Sequence, residues 1–407
     1  MPELKPFKGI RYLAAHELAD LVCPPYDVIS PEQQNELYAR HPHNAVRLEL
    51  AQTGGDPSGY AQVGELFRSW LDDGTLVADP GDSLYVYRQD FVAGGVDRRS
   101  VAGVIGALTL EELGSGVLPH ERTMPGPKKD RLALMRACPV NISPIYAVYR
   151  GGGVLRGPLD EISRRDPHGR LTDESGVMHR LWVVDDPDVI AELTRPVASA
   201  PLVIADGHHR YETALAYHAE QGDAPGGHGA IMCYCVDVDS EDLMVLSYNR
   251  AITASVPAAG LARRLMERLG AREAGYDEAL GALASSEAEH PFAFVLDGRC
   301  LLVTVDDAFV AARADGPRAW RDLDVVALHE AVLPEVLPEG ADDIVFTKDP
   351  VEVRALVEDG RATFGVLLKA VDAADVVDVA RSGARMPQKA SYFWPKAITG
   401  FVLRSLR

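Results

Sequence analysis

Pro201-Leu-Val-Ile-Ala-Asp-Gly-His-His-Arg-Tyr-Glu-Thr-Ala-Leu-Ala-Tyr-His218 is the stretch that decides how this chain reads. Leu202 to Ala205 is a short apolar run of the kind a buried strand shows. Asp206-Gly207 breaks it, and Tyr211, Leu215 and His218 follow at helical spacing. The pattern predicts strand, tight turn and helix, with two histidines and an arginine in the first helical turn. A helix start carries backbone N–H groups without intrahelical partners and the positive end of the helix dipole, so it suits an anion such as phosphate. Gly207 lets the backbone approach a ligand, and Arg210 is expected to fork onto the ligand's oxygens. The plainer reading makes Asp206 an N-cap and the histidines hydrogen-bonded core groups. Four polar groups converging on one helix start favour a site.

Working outward, 407 residues suffice for two or three domains with sizeable cores. A hydrophobic fraction of 47% and a charged fraction of 25% are those of an ordinary globular protein. Lys+Arg of 41 against Asp+Glu of 60 leaves a formal charge of -19, which argues against nucleic-acid binding but leaves room for a small anionic substrate. No apolar run approaches the ~20 residues of a membrane helix, and no secretion signal is expected. Five sparse cysteines (23, 138, 233, 235, 300) suit a reducing cytoplasm, the expected location. Cys233-Tyr-Cys235 puts two thiols on one strand face, too few ligands for a structural zinc. These are expected to be core thiols.

Before the opening stretch, Ser30 caps a helix over residues 31–40, with Pro31 at its first position. Residues 45–50 read as a strand and 60–73 as a helix. Residues 83–91 and 100–110 form a hairpin around Ala93-Gly-Gly-Val-Asp97. His120-Glu121 precedes the basic run Pro125-Gly-Pro-Lys-Lys-Asp-Arg131, and residues 144–149 and 181–184 read as strands, with a short helix over 187–193. After the opening stretch, residues 230–236 and 243–246 read as a hairpin. Helix 261–269, hairpin 292–296/300–305 and helix 323–336 follow, and then strand 344–347, helix 351–358, strand 363–368 and helix 373–382. Met386-Pro-Gln-Lys-Ala-Ser-Tyr-Phe-Trp-Pro-Lys396 reads as a loop crowded with polar and aromatic residues, and 400–406 as a closing strand. Strands and helices mix without strict alternation, so the fold class is α+β (mixed α/β). Three segments are expected: an α/β domain over 1–110, a catalytic domain over 111–250, and an α/β domain over 251–407 that contributes the 386–396 loop.

Pro24-Pro-Tyr-Asp-Val28, Ile204-Ala-Asp-Gly-His-His-Arg-Tyr-Glu-Thr213, and Met386-Pro-Gln-Lys389 with Tyr392-Phe393 and Pro395-Lys396 resemble the bacterial and archaeal family known as domain of unknown function 1015. The likeness runs the length of the chain. The central part also resembles the ParB/sulfiredoxin superfamily, with His120-Glu121, Pro144-Ile145 and Asp206 to Arg210 at the matching positions. That superfamily includes kinases of free L-serine carrying the Asp-Gly-His-His-Arg form, and a chromosome-partitioning branch that binds DNA and CTP. The resemblance implies a ParB/sulfiredoxin-like central domain with Glu121 as base and the Asp206 loop on nucleotide phosphates. One departure is Asn249-Arg250, where relatives often carry His before the arginine.

On this reading Glu121, Asp206, His208 and His209 are the catalytic candidates. Gly207, Arg210, His120, Thr123 and Lys389 are candidates for phosphate or nucleotide binding, and Glu212, Gln388, Tyr392 and Lys396 for substrate binding. The lysines near the C-terminus have an alternative role, snorkelling past Tyr392, Phe393 and Trp394. Phosphoryl transfer needs positioning and charge neutralisation more than covalent chemistry from the protein. The expected activity is transfer from ATP or ADP, with Mg²⁺, to a small hydroxyl metabolite such as L-serine. The expected partners are the nucleotide and a small molecule, with no nucleic acid and no membrane. No all-protein metal site is expected; Asp206 is placed to reach Mg²⁺ through water. The same phosphate cradle serves a phosphatase or nucleotide hydrolase, and a nucleotide-gated binding protein is the third reading. A P-loop kinase is excluded, because no Gly-x-x-x-x-Gly-Lys-Ser/Thr occurs.

Overall fold

Leu202, Val203 and Ile204 have no exposed surface, and that burial on both faces is why an unalternating apolar run forms the strand Leu202–Asp206. Each such side chain contributes roughly 1.5–3 kcal/mol by leaving water. The computed structural model describes residues 2–13, 17–53, 59–121, 125–239, 241–387 and 389–407. The chain divides into two compact units: Met1–Pro119, Thr123–Leu243 and Pro395–Arg407 form the first, His120–Arg122 and Met244–Trp394 the second.

The first unit is built on a mixed sheet of nine described strands. Along it run Val117–Pro119, Leu202–Asp206, Ile145–Tyr149, Ala230–Asp237, Asp97–Thr109, Leu84–Ala93, Met178–Val184 and Gly169–Thr172, with Leu4–Lys5 beside Asp97–Thr109. Two neighbouring pairs are parallel, Leu202–Asp206 with Val117–Pro119 and Ala230–Asp237 with Ile145–Tyr149; the rest are antiparallel. A small sheet unites Leu76–Ala78, Gly9–Tyr12, Leu403–Ser405 and Val140–Asn141, so the end of the chain returns to this unit. The second unit has a six-stranded sheet of Arg272–Ala274, Arg299–Val305, His290–Leu296, Phe364–Leu368, Asn249–Thr253 and Asp343–Thr347. Met244–Leu246 pairs with Tyr392–Trp394 beside it.

The mixed α/β class holds, as does most of the element order. Pro31–Arg40 is helical with the Ser30 hydroxyl accepting from the Gln33 N–H at 3.2 Å. The hairpin closes with Ala93 opposite Asp97. Four expectations change. Residues 45–50 are not a strand: Val46–Glu49 is a helical turn, started by the Asn44 side chain accepting from the Val46 N–H at 2.9 Å. Its buried Val46 and Leu48 imitate strand alternation. The 230–236/243–246 hairpin does not form, because Ala230–Asp237 lies between Asp97–Thr109 and Ile145–Tyr149 while Met244–Leu246 belongs to the second unit. The 386–396 segment is not all loop, since Tyr392–Trp394 is a strand. The boundary expected at residue 110 is absent, because strands from both sides of it share one sheet.

All five cysteines are buried free thiols, with the Cys233 and Cys235 sulfurs 3.5 Å apart. Among the described residues no helix is long and apolar enough to cross a membrane.

Candidate active site

The register of Leu202–Asp206 against Ile145–Tyr149 slips between Ile204 and Asp206. Such an irregularity re-aims a side chain at a strand end. Gly207 follows with φ 91°, a left-handed conformation that L side chains avoid, and the helix His208–Gln221 starts with no side-chain cap. A Cβ at Gly207 would stand 3.0 Å from Arg210 Nε and from Ile145 Cγ2. Bulge and glycine together carry the chain from strand to helix within two residues and set Asp206 against the first helical turn.

Asp206 is the electrostatic centre. One carboxylate oxygen accepts from Arg210 at 2.6 Å and the other from the Lys396 ammonium, which is 190 residues away in sequence. All three side chains are nearly buried. Burial pushes the Asp206 carboxyl up, but Lys396 and Arg210 outweigh it and hold it at about 2. Arg210 is held from behind as well: the same guanidinium donates to Ser143 Oγ at 3.0 Å and to the Pro144 carbonyl at 2.5 Å. Ser143 donates to Glu49 Oε1 at 3.0 Å, and Arg131 donates to the Glu49 carbonyl. Arg210 therefore does not fork outward onto a ligand as the sequence suggested; its bonds face inward and fix Asp206 and the helix start.

Asp27, to which the sequence reading gave no role, faces the same charges. Restricted access to water and the neighbouring Asp206 charge raise its carboxyl, while Lys396 and Arg210 pull it down. The residue is nevertheless exposed. The backbones of Cys23 and Thr399 exchange hydrogen bonds of 3.2 and 2.8 Å, so the Pro24-Pro-Tyr-Asp-Val28 and Pro395-Lys396 motifs lie side by side. Tyr26 packs under the Arg131 guanidinium at 4.4 Å, and burial pushes its phenol up to about 12. The rigid proline pair was the available signal for this segment.

The remaining candidates fall as follows. His208 is buried beside Asp206 and His209 is half-buried on the same turn. Glu212 pairs with Lys128, which ties two helices together. His120, Glu121, Lys389 and Tyr392 belong to the second unit. His120 is not an open phosphate contact: it is buried, its Nε2 is 2.9 Å from Ser391 Oγ, and its ring packs on Phe393. Glu121 forms a backbone bridge to Met386. Lys389 has φ 56°, alone among described non-glycine residues; its carbonyl accepts from Arg250 at 3.2 Å and its ammonium lies over the Tyr248 ring. Tyr392 is buried with Lys348 over its ring. Asn249 is structural, accepting from the Leu368 N–H and donating to the Lys348 carbonyl. Thr123 and Gln388 lie outside the described residues.

As for Mg²⁺, the described residues contain no group of three or more His, Cys, Asp or Glu able to hold a metal. Both Asp206 oxygens already accept from cations.

Among solved structures the chain is similar to a free serine kinase in complex with AMP, at 14% identity over 72% of this chain and 88% of that one, with a TM-score of 0.36. SbnI with C-terminal truncation from Staphylococcus aureus shares 9% identity over 72% and 85%, with a TM-score of 0.39. A conserved hypothetical protein from Pyrococcus furiosus shares 13% over 69% and 89%, with a TM-score of 0.34. No protein of curated function matches the sequence. The model of the family described as "Protein of unknown function (DUF1015)" matches residues 4–326, and the chain belongs to that family.

Proposed function

We propose that the protein is a phosphotransferase that moves the terminal phosphoryl group of ATP or ADP, bound with Mg²⁺, onto the hydroxyl of a small metabolite, free L-serine being the acceptor to test first. The observation that carries this reading is the left-handed Gly207 turn opening an uncapped helix, with the Lys396 ammonium and the Arg210–Asp206 pair alongside. The first-turn N–H groups and Lys396 are suited to phosphate oxygens, and Asp206 and Arg210 fix their positions. An incoming phosphate competes with Asp206 for the Lys396 ammonium, so that cation can follow the charge that develops in transfer. His208 and His209 supply a hydrogen bond or a proton near neutral pH. The acceptor oxygen attacks phosphorus, the bond to the leaving nucleotide oxygen breaks, and the hydroxyl proton goes to a base. That role falls to Glu121 on family resemblance alone.

The test is O-phosphoserine formation, followed by mass spectrometry, from L-serine with Mg²⁺ and ATP or ADP. Lys396→Ala should lower turnover by about 10²–10³-fold, and Asp206→Ala and Glu121→Ala should abolish it. Absence of serine phosphorylation with every nucleoside di- and triphosphate overturns the reading, whereas phosphate release without an acceptor replaces it with a hydrolase.

A further inference from the structure

The Lys396 ammonium reaches Asp206 from a segment whose backbone is itself held. The Gln89 side-chain amide donates to the Lys396 carbonyl at 2.9 Å, and the Ile398 N–H donates to the Tyr87 hydroxyl at 3.3 Å. Tyr87, Gln89 and His179 are buried to within 1% of completeness, and all of these residues belong to the first unit.

The hydrogen-bond directions follow from donor counting. The Asp173 carboxylate only accepts, so the His179 Nε2–H donates to Asp173 Oδ2 at 3.1 Å. In the neutral ring this leaves Nδ1 to accept the Tyr87 hydroxyl proton, 2.6 Å away, while the Tyr87 oxygen accepts from the Ile398 N–H. Asp173 is fixed in turn by the Ser175 and Val177 N–H groups on its other oxygen. The Gln89 amide is pinned in one orientation, because only its NH₂ can serve the Lys396 carbonyl, and its Oε1 is buried with no partner among the described residues. An orphaned buried oxygen is costly and calls for a reason; holding the Lys396 backbone is one.

We propose that Tyr87 and Gln89, with Tyr87 backed by His179 and Asp173, are positioning residues that set where the Lys396 ammonium stands. They reach neither Asp206 nor a ligand; they act on the main chain on either side of Ala397. The inference rests on the reading that places Lys396 at the phosphate end of the active site, but the clamp itself can be measured without activity.

Two variants remove the clamp with little change of shape, Tyr87→Phe and Gln89→Met. The first readout is independent of turnover: the rate at which Lys396 is acylated by an amine reagent, and hydrogen exchange of the Ile398 amide. Both should rise at least tenfold in Tyr87→Phe, and Lys396 acylation should rise likewise in Gln89→Met. Unchanged rates in folded variants overturn the proposal. The second readout is a double-mutant cycle on serine phosphorylation. Tyr87→Phe should lower kcat about tenfold with KM for serine within twofold, and should have no further effect in a Lys396→Ala background. Additive losses would mean a merely structural role and overturn the positioning claim. If the wild type phosphorylates nothing while the acylation and exchange rates rise as expected, the proposed function fails and the clamp stands.

Discussion

Asp206→Asn removes one negative charge from between two nearly buried cations and keeps the side chain's size. A carboxyl held at about 2 in the folded chain, against an ordinary value of 3.8, contributes ~2.5 kcal/mol to stability at neutral pH. The sign follows from proton uptake. The unfolded carboxyl takes its proton as pH falls below about 4, and the folded one only near 2, so the contribution is complete above pH 5 and disappears as pH falls through that window. At pH 3 about half of it is left. Asparagine can accept from one cation only, leaving Arg210 or Lys396 uncompensated, and breaking a buried pair this way ordinarily costs about 3–5 kcal/mol. The lower figure is expected here, because Arg210 keeps Ser143 and Pro144 as partners. In melting temperature ~2.5 kcal/mol is about 5–10 °C for a unit of this size. The assay is urea unfolding of wild type and variant from pH 7 to pH 3. The gap should be largest at pH 7 and roughly halved at pH 3. A gap independent of pH, or no gap at pH 7, refutes the placement of Asp206 between Lys396 and Arg210.

Gly207→Ala should destabilise by about 2–4 kcal/mol, since it combines a left-handed backbone with contacts of 3.0 Å to Arg210 and Ile145; a melting temperature within 2 °C of wild type would count against that turn. Arg210→Lys keeps the charge but cannot serve Asp206, Ser143 and Pro144 together, so a loss of about 1–3 kcal/mol is expected in denaturant titration, and equal stability would contradict the inward-facing role. In the second unit, burial and the adjacent Arg250 hold the His329 imidazole down at about 4. Its unfolded counterpart takes a proton below about pH 6.5, so this contribution is present above that pH and lost as pH falls toward 4. The stability difference between wild type and His329→Gln should shrink across that window, and a constant difference would refute it.

Read alone, the sequence determined the elements whose signals are local. The apolar run ending at Asp206-Gly207, the Ser30-Pro31 helix start and the Gly-rich hairpin at 94–95 state their own geometry, because strand burial, capping and positive φ are properties of a few neighbouring residues. It also marked the three motifs that share the family likeness. It could not decide partners. The run Val46–Glu49 has a strand's alternation and became a helical turn through one asparagine side chain. Ala230–Asp237 and Met244–Leu246 looked like each other's partners until each found a better neighbour. The site shows the same division. The helix start at Gly207 was legible and Lys396 was marked as a site candidate, but the direction of Arg210, the role of Asp27 and the pairing of Lys396 with Asp206 were not, since charge pairing across 190 residues leaves no trace in local spacing. Only the folded first unit, by returning the end of the chain beside Cys23, decides that Asp206 lies between two cations.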